Sequence, residues 1–201
     1  MTGVQTCALP ISAALDVNGM VWKSSPAATE LKQVALGWLR QWLGLPDDFF
    51  GIIYDTASVS SMHAIAAARE LFFPEVREYG GLSGAVMYCS EHAHSSIDKG
   101  AIALGVGHKN VRKVPVDAEF RMLPGQLERM IGEDRAAGRK PFCVVATTGT
   151  TSTTSVDPVA EIADIAERHG KGRTAAARRA LRPSLAPRVW KIGRASCRER
   201  V

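Results

Sequence analysis

Helix-like and strand-like segments alternate along this chain, and the alternation limits the possible folds more than any other feature of the sequence. After an amphipathic helical segment, a strand followed by a helix is predicted four times over. This order is typical of a mainly parallel sheet whose faces are covered by helices. We therefore predict an α/β fold for the well-patterned part of the chain, residues 12–170.

The predicted segments follow from the spacing of the apolar residues. The first helix lies within "SPAATELKQVALGWLRQWLGLP", where apolar side chains follow an i, i+3, i+4 pattern: Leu31, Val34, Ala35, Trp38, Leu39 and Trp42. Strands are predicted in "FFGIIYDTAS", "GAVMYCS", "NVRKVPVD" and "PFCVVATTGTT". The helices that follow them are predicted in "SMHAIAAARELFF", "HSSIDKGAIALG", "LPGQLERMIGEDRAAG" and "DPVAEIADIAERHG".

Polar residues cluster where three of these strands end. The clusters are "TAS", "SEHAHSS" and "TTGTTSTTS". Because ligands of parallel sheets bind at the carboxyl ends of the strands, the clusters indicate a binding site. Serine and threonine are also common in such loops as helix caps, so each cluster taken alone has an ordinary structural explanation.

Two of the clusters suggest specific chemistry. Thr56, Ala57 and Ser58 precede a helix, whose free N–H groups and dipole favour a phosphate. Taken alone, this cluster is better explained by a simple cap at Ser58. His92 and His94 point the same way from an extended segment. A metal would need a third ligand at suitable spacing, which the sequence lacks, so we predict no metal site. Stacking on a planar cofactor and a loop-filling role both remain open for these histidines.

The net charge of +5 does not describe the patterned part of the chain. Ten of the 25 basic residues and one of the 20 acidic residues lie from Lys171 onward, which leaves residues 1–170 with a net charge of −4. We therefore predict no nucleic-acid partner.

The cysteines and the hydropathy pattern bear on location. Cys89 and Cys143 are the cysteines within residues 12–170, too few for a disulfide framework and consistent with a reducing cytoplasm. No apolar run approaches the roughly 20 residues of a membrane span, so we predict no membrane partner.

Four stretches together resemble the group II pyridoxal-5′-phosphate (PLP) decarboxylases, the family of aromatic-L-amino-acid decarboxylase. They are "WKSSPAATELKQVALGWLRQWLGLP", "TASVSSMHAIAAARE", "SEHAHSSIDKGAIALG" and "VVATTGTTSTTSVDPVAEIADIAERHG". They stand in the family's order and cover most of residues 20–170. The resemblance implies part of the large domain of the type I PLP-dependent transferase (aspartate-aminotransferase-like) fold, with PLP as cofactor.

The resemblance also assigns roles to individual residues. Ala57 and Ser58 match positions that bind the cofactor phosphate, with Thr56 beside them. His94 matches the histidine that stacks on the pyridine ring and assists catalysis. Thr151 falls in the hydroxyl cluster that contacts the cofactor. The resemblance assigns no role to His92.

Further matches concern the substrate and the groups expected after Gly170. Trp22 and Pro26 match positions near the substrate pocket. After "AERHG" the family continues with a strand whose aspartate pairs with the pyridine nitrogen, and later with the lysine that bonds covalently to the cofactor. This chain continues with "KGRTAAARRALRP" instead, so we expect both groups to be missing. Lys99 is not that lysine.

The ends of the chain differ from the part between them. Codons compatible with residues 1–11 and 192–201 resemble the two paired adapters of short-read DNA sequencing, so we expect neither segment to be native. We attribute residues 171–191 to a frameshift. Residues 12–170 are then a partial PLP-binding large domain.

These observations lead to one expected function and several alternatives. We expect the full-length parent to be a cytoplasmic homodimer that decarboxylates an L-amino acid of the aromatic class, and we expect this chain alone to be inactive. The alternatives are a decarboxylase of glutamate or another non-aromatic amino acid, another PLP reaction such as transamination, and a non-catalytic binding module.

Overall fold

The computed structural model describes residues 22–45, 47, 50–54 and 56–170 of the 201-residue chain. The chain divides into two compact units, residues 1–52 and residues 53–201. The predicted ends, residues 1–11 and 171–201, lie outside the described residues. None of the helices in the described part of the chain is long and apolar enough to cross a membrane.

The first unit contains one described helix, α1 (Pro26–Leu43), as the apolar spacing predicted. Pro26 occupies the first helical position, where its fixed φ suits the helix and its missing N–H costs nothing. The helix ends at Gly44, whose φ of 64° is in the left-handed region that glycine tolerates. The apolar stripe of α1 is exposed to solvent: Leu31 (66%), Val34 (42%), Trp38 (54%) and Trp42 (74%).

The second unit is an α/β structure, as predicted from the alternation of segments. Its helices are α2 (Ala57–Phe72), α3 (Val76–Tyr79), α4 (Ser96–Ala103), α5 (Pro124–Ala136) and α6 (Val159–Gly170), and a 3-10 turn spans His108–Asn110. Its strands are β1 (Ala85–Ser90), β2 (Val111–Val114) and β3 (Lys140–Val145). They form a three-stranded parallel sheet in the order β2-β1-β3.

The strand predicted in "FFGIIYDTAS" is wrong. Residues 50–54 form no strand, and the "TAS" residues belong to the start of α2. Ile52 and Ile53 are each 57% exposed. A short apolar run becomes a strand only where another strand pairs with it, and none of the described strands pairs with this one.

Apolar side chains alternate between the two faces of the sheet and build two cores. On one face, residues of the sheet pack with α5 and α6 in a cluster of Val86, Tyr88, Val114, Met122, Leu127, Met130, Ile131, Ala146, Val159, Ile162 and Ile165. On the other face, residues of the sheet pack with α2 and α4 in a cluster of Ile65, Phe73, Ala85, Met87, Cys89, Ile97, Ala101, Val106, Val111 and Phe142. The result is a helix–sheet–helix sandwich. β1 lies at its centre, with all six residues buried.

Candidate functional site

Strand β1 lies at the point where successive connections leave for opposite sides of the sheet. Such a switch point creates a crevice at the carboxyl edge. From β1 the chain crosses to β2 through α4, and from β2 it returns past β1 to β3 through α5. The loop after β1 therefore leads to one face of the sheet and the loop after β3 leads to the other. Ligands of open α/β sheets bind in such a crevice. The loops that contain His94 and Thr151 are these two loops.

Helix α2 brings its amino-terminal end to the same edge. At its carboxyl-terminal end, the ring of Phe73 packs edge-on against Phe142, near the amino end of β3, with 5.8 Å between the ring centroids. Farther toward its start, Met62 and Ile65 of α2 pack against Gly100 of α4. Because α2 runs antiparallel to the strands, its first turn lies toward their carboxyl ends.

The first turn of α2 offers unpaired donors. Thr56 caps the helix: its Oγ1 accepts the N–H of Val59 at 3.3 Å, and its carbonyl oxygen accepts the N–H of Ser60 at 3.0 Å. The N–H groups of Ala57 and Ser58, the first two helical residues, have no acceptor within the helix. The side chain of Ser58 is exposed and that of Ala57 is small. This combination of free N–H groups, a hydroxyl and little bulk suits a phosphate.

The ring of His94 is fixed by the residue that begins α4. The backbone N–H of Ser96 donates to Nδ1 of His94 at 3.2 Å, and Ser96 Oγ lies 2.9 Å from the same nitrogen. Because a backbone N–H can only donate, Nδ1 is an acceptor, and a neutral His94 carries its proton on Nε2. The imidazole is exposed at the crevice edge with a defined tautomer.

The hydroxyl-rich loop after β3 is internally bonded. Thr150 is buried, and its Oγ1 lies 2.6 Å from Oγ1 of Thr153 and accepts the N–H of Ser155 at 3.1 Å. Thr151, the predicted cofactor contact, is exposed in the turn. Thr150 therefore shapes the turn from inside, while Thr151 presents its hydroxyl outside it.

Asp157 ties this loop to the rest of the sheet edge. Its carboxylate accepts the N–H of Thr147 at 2.7 Å and the N–H of Met122 at 2.8 Å, and the residue is 2% exposed. Burial raises the pKa of Asp157, and the two backbone hydrogen bonds act in the opposite direction. Asp157 thus connects the segment after β2 with the segment after β3.

The donors at this edge fit a polar, anionic ligand. Two buried hydroxyls of the described residues, Ser90 Oγ at the end of β1 and Thr148 Oγ1 after β3, have no hydrogen-bond partner. A buried hydroxyl without a partner is unfavourable, so both can gain from a polar ligand or a water molecule. Within the described part of the chain, no group of three or more His, Cys, Asp or Glu side chains could hold a metal ion.

The predicted site residues fall into two groups. Thr56, Ala57, Ser58, His94 and Thr151 lie on elements that meet the carboxyl edge of the sheet. Trp22 and Pro26 belong to the first unit, where Trp22 is 54% exposed in a turn and Pro26 begins α1. The roles assigned to all seven residues stay predictions.

Reasoning from the sequence missed two residues at this edge, Phe120 and Asp157. Phe120 is exposed and lies beyond the end of the strand predicted in "NVRKVPVD", so no feature of the sequence singled it out. Asp157 reads as an ordinary helix-start residue in "SVDP". For Asp157, the "DP" pair before a helix was the one feature of the sequence that could have indicated a role. Phe120 contacts residues distant in the sequence, so no local pattern indicates its role.

A family model and known relatives match this chain. The model of the pyridoxal-dependent decarboxylase conserved domain matches residues 7–172. The bovine (Bos taurus) aromatic-L-amino-acid decarboxylase is 35% identical over 154 residues, and the 4-hydroxyphenylacetaldehyde synthase of Rhodiola rosea is 34% identical over 147 residues. Both matches cover 69% of this chain, but only 31% and 30% of the relatives. The chain therefore spans less than a third of the length of these two proteins.

Solved structures agree with this assignment. The crystal structure of Oryza sativa TDC with PLP and tryptamine superposes with a TM-score of 0.76 at 32% identity, covering 84% of this chain and 38% of that one. The predicted type I PLP fold and the predicted cofactor of the family are thereby confirmed. The chain belongs to the pyridoxal-dependent decarboxylase family.

Proposed function

We propose that the full-length parent decarboxylates an aromatic L-amino acid, with PLP as cofactor. The proposal is carried by one observation: a phosphate-type donor set at the start of α2 and the fixed imidazole of His94 both lie toward the carboxyl edge of the sheet. The bovine relative is named as a decarboxylase of aromatic L-amino acids, and the Rhodiola rosea relative is named for the synthesis of an aromatic aldehyde.

The residues of this chain would divide the work of holding the cofactor. The N–H groups of Ala57 and Ser58 bind the phosphate, helped by the hydroxyl of Ser58 and the dipole of α2. His94 stacks on the flat ring. Thr151 adds a hydroxyl from the opposite side of the crevice. When bound, PLP supplies an electron-withdrawing ring that stabilises the negative charge left on the α-carbon as CO₂ departs.

His94 has a second task in this proposal. Because Ser96 occupies Nδ1, the proton of the neutral imidazole is held at Nε2, on the side of the ring away from α4. A single tautomer means that His94 can offer a hydrogen-bond donor in a constant direction. Trp22 and Pro26 are proposed to border the substrate.

We propose that the parent is a cytoplasmic homodimer. The exposed apolar stripe of α1 supports self-association, because contiguous apolar surface of this kind commonly marks an interface. Cys89 and Cys143 are free thiols, which is compatible with a reducing compartment.

The first test of the proposal measures cofactor binding by this chain. Pyridoxamine 5′-phosphate is a suitable probe, because it has the ring and the phosphate but no aldehyde to react with surface lysines. We expect Ser58→Asp to weaken its binding at least about tenfold, since a carboxylate would compete for the helix N–H groups, while the same charge should stabilise the helix start by about 0.3–1 kcal/mol. Fluorescence titration gives the affinity, and urea unfolding gives the stability.

A matched control separates the phosphate site from general charge. Ser60→Asp adds the same charge two residues along α2, about 200° around the helix, where it does not face the free N–H groups. We expect it to leave binding nearly unchanged. Equal losses of affinity in the two variants, or no binding by the unsubstituted 201-residue chain, would contradict the proposed phosphate site.

The activity is tested on the full-length coding sequence. Resequencing the source DNA through the codons for Ala166 to Val201 should reveal a frame that encodes a strand with an aspartate and, further on, a lysine. The encoded enzyme should then release CO₂ and an amine from an aromatic L-amino acid faster than from L-glutamate. A basic tail with no following lysine would favour the non-catalytic alternative.

A second reaction on the same scaffold follows from one relative. The Rhodiola rosea protein, at nearly the same identity as the bovine one, is named for an aldehyde product. The assay should therefore quantify both amine and aldehyde. Release of aldehyde in place of amine would assign the parent to that second reaction.

A further inference from the structure

Phe120 has an unfavourable backbone conformation. Its φ is 62°, in the left-handed region, and Phe120 and Thr154 are the non-glycine residues with positive φ in the described part of the chain. Bulky residues rarely adopt this conformation, and those that do are often found at functional sites. The side chain is 43% exposed, so burial of the ring gives little compensation.

The surrounding hairpin forces this conformation. Val116 and Met122 form an antiparallel bridge, and the N–H of Phe120 donates to the carbonyl oxygen of Asp117 at 3.0 Å. The carboxylate of Asp117 accepts the N–H groups of the two residues flanking Phe120, Glu119 and Arg121, at 3.0 and 2.8 Å. Phe120 is therefore held at the tip of a stiff turn.

The tip contacts both loops of the candidate site. The ring of Phe120 lies edge-on to the ring of His92, with 5.1 Å between the centroids and 81° between the planes. The carbonyl oxygen of Phe120 accepts the hydroxyl of Ser155 at 2.9 Å. His92 is two residues from His94, and Ser155 closes the turn that contains Thr151. One residue thus connects the two sides of the crevice.

We propose that Phe120 is a positioning residue that fixes the loop of His92 and His94 and so sets the ring of His94 against the cofactor. His92, which the sequence left without a role, is the point of contact. The part of this inference that concerns the cofactor rests on the proposed function. The part that concerns the loop does not.

The test uses the full 201-residue chain and hydrogen exchange measured by NMR. The reporters are the N–H groups of Ala93 and Ser96, which donate to Ser90 and His94. We expect Phe120→Ala to raise their exchange rates about three- to tenfold, the effect of losing one aromatic pair, and to shift the ring signals of His94. Phe120→Tyr keeps the ring and should restore both readouts.

Two further variants separate the ring from other effects. Phe50→Ala removes an aromatic side chain that is 84% exposed in the first unit and should change neither readout. Phe120→Gly removes the ring and also relieves the left-handed backbone. It should be more stable than Phe120→Ala yet show the same faster exchange at Ala93 and Ser96.

The possible results decide the inference. Unchanged exchange at Ala93 and Ser96 in Phe120→Ala would overturn it, and so would an equal increase across the amides of α5, which would reveal only a loss of global stability. If the unsubstituted 201-residue chain binds pyridoxamine 5′-phosphate and Phe120→Ala binds it with the same affinity, the link to the cofactor is overturned. If the unsubstituted 201-residue chain does not bind pyridoxamine 5′-phosphate, that result counts against the proposed function. The exchange data would still decide the role of Phe120 in the loop.

Discussion

Asp117 stabilises the hairpin through its ionised carboxylate. The backbone N–H of Arg121 and, to a smaller extent, the guanidinium of the same residue lower the pKa of Asp117 below its usual value of 3.8. The folded state therefore favours the ionised form. Its contribution to stability is present above pH 3.8 and is lost as the pH falls through the lowered folded-state pKa.

We expect Asp117→Asn to reduce the free energy of unfolding at neutral pH, because the amide keeps one acceptor oxygen but loses the charge. The difference from the parent chain should shrink as the pH falls below about 4, where Asp117 also becomes neutral. Urea unfolding at a series of pH values measures this. Asp164→Asn, at an exposed position of α6, is the control and should cost little throughout. A difference that does not depend on pH would contradict the prediction.

Single residues of the candidate site were predictable only where local rules apply. The sequence placed a helix start near Thr56, Ala57 and Ser58 because capping depends on neighbours in the sequence, but the cap is Thr56 and not Ser58, the residue suggested from the sequence. The contacts of His94 with Ser96 are equally local. Phe120 and Asp157 were not predictable, because the partners of Phe120 lie 28 and 35 positions away and Asp157 reaches Met122 across 35 positions.

Elements are joined in the second unit by a buried carboxylate that apolar patterning does not reveal. Asp134 of α5 is fully buried. It accepts the hydroxyl of Tyr88 in β1 at 2.7 Å and pairs with Arg112 of β2 at 3.4 Å and with Arg139 at 2.6 Å. Burial, together with the hydrogen bond to Asp134, raises the pKa of Tyr88, which stays a neutral donor. This network attaches α5 to two strands.

We expect Asp134→Asn to destabilise the fold by about 2–3 kcal/mol, because it leaves two guanidinium groups and a buried hydroxyl poorly paired. The value is below that of a fully buried pair because the side chains of Arg112 and Arg139 are 30% and 37% exposed. Glu133→Gln, at the neighbouring exposed position, should cost about 0.5 kcal/mol or less. Urea unfolding distinguishes the two, and equal effects would contradict a special role for Asp134.

Whether a segment is a helix or a strand was predictable where several local features of the sequence, such as the apolar pattern and the flanking residues, indicated the same structure. Strand β1 is a continuous apolar run buried on both faces, and α6 combines a preceding proline with a regular apolar stripe. The strand expected around residues 50–54 had the apolar run alone. Pairing between distant strands decides such cases, and the sequence does not state which strands pair.

At the scale of the whole molecule, the described sheet has two open sides. The strand order β2-β1-β3 leaves the outer edges of β2 and β3 without a described partner, and most of β3 is only half-buried, in contrast to β1. Unpaired edges of this kind promote association through strand addition. The exposed stripe of α1 is a second surface that favours association, through apolar side chains and not through backbone hydrogen bonds. Association of this chain can therefore arise in two ways.

Substitutions on α1 distinguish these two routes and test the proposed homodimer. We expect Trp38→Lys to raise the dissociation constant of the dimer at least about tenfold, because a charge would enter the centre of the apolar stripe. Gln33→Lys adds the same charge about 140° around the helix, on the opposite face, and should leave association unchanged. Sedimentation velocity over a range of protein concentrations measures both. If both variants associate as the parent chain does, the open edges of the sheet drive association and the stripe does not. If the parent chain itself sediments as a monomer at all concentrations, the stripe of α1 is not a dimer interface in this chain.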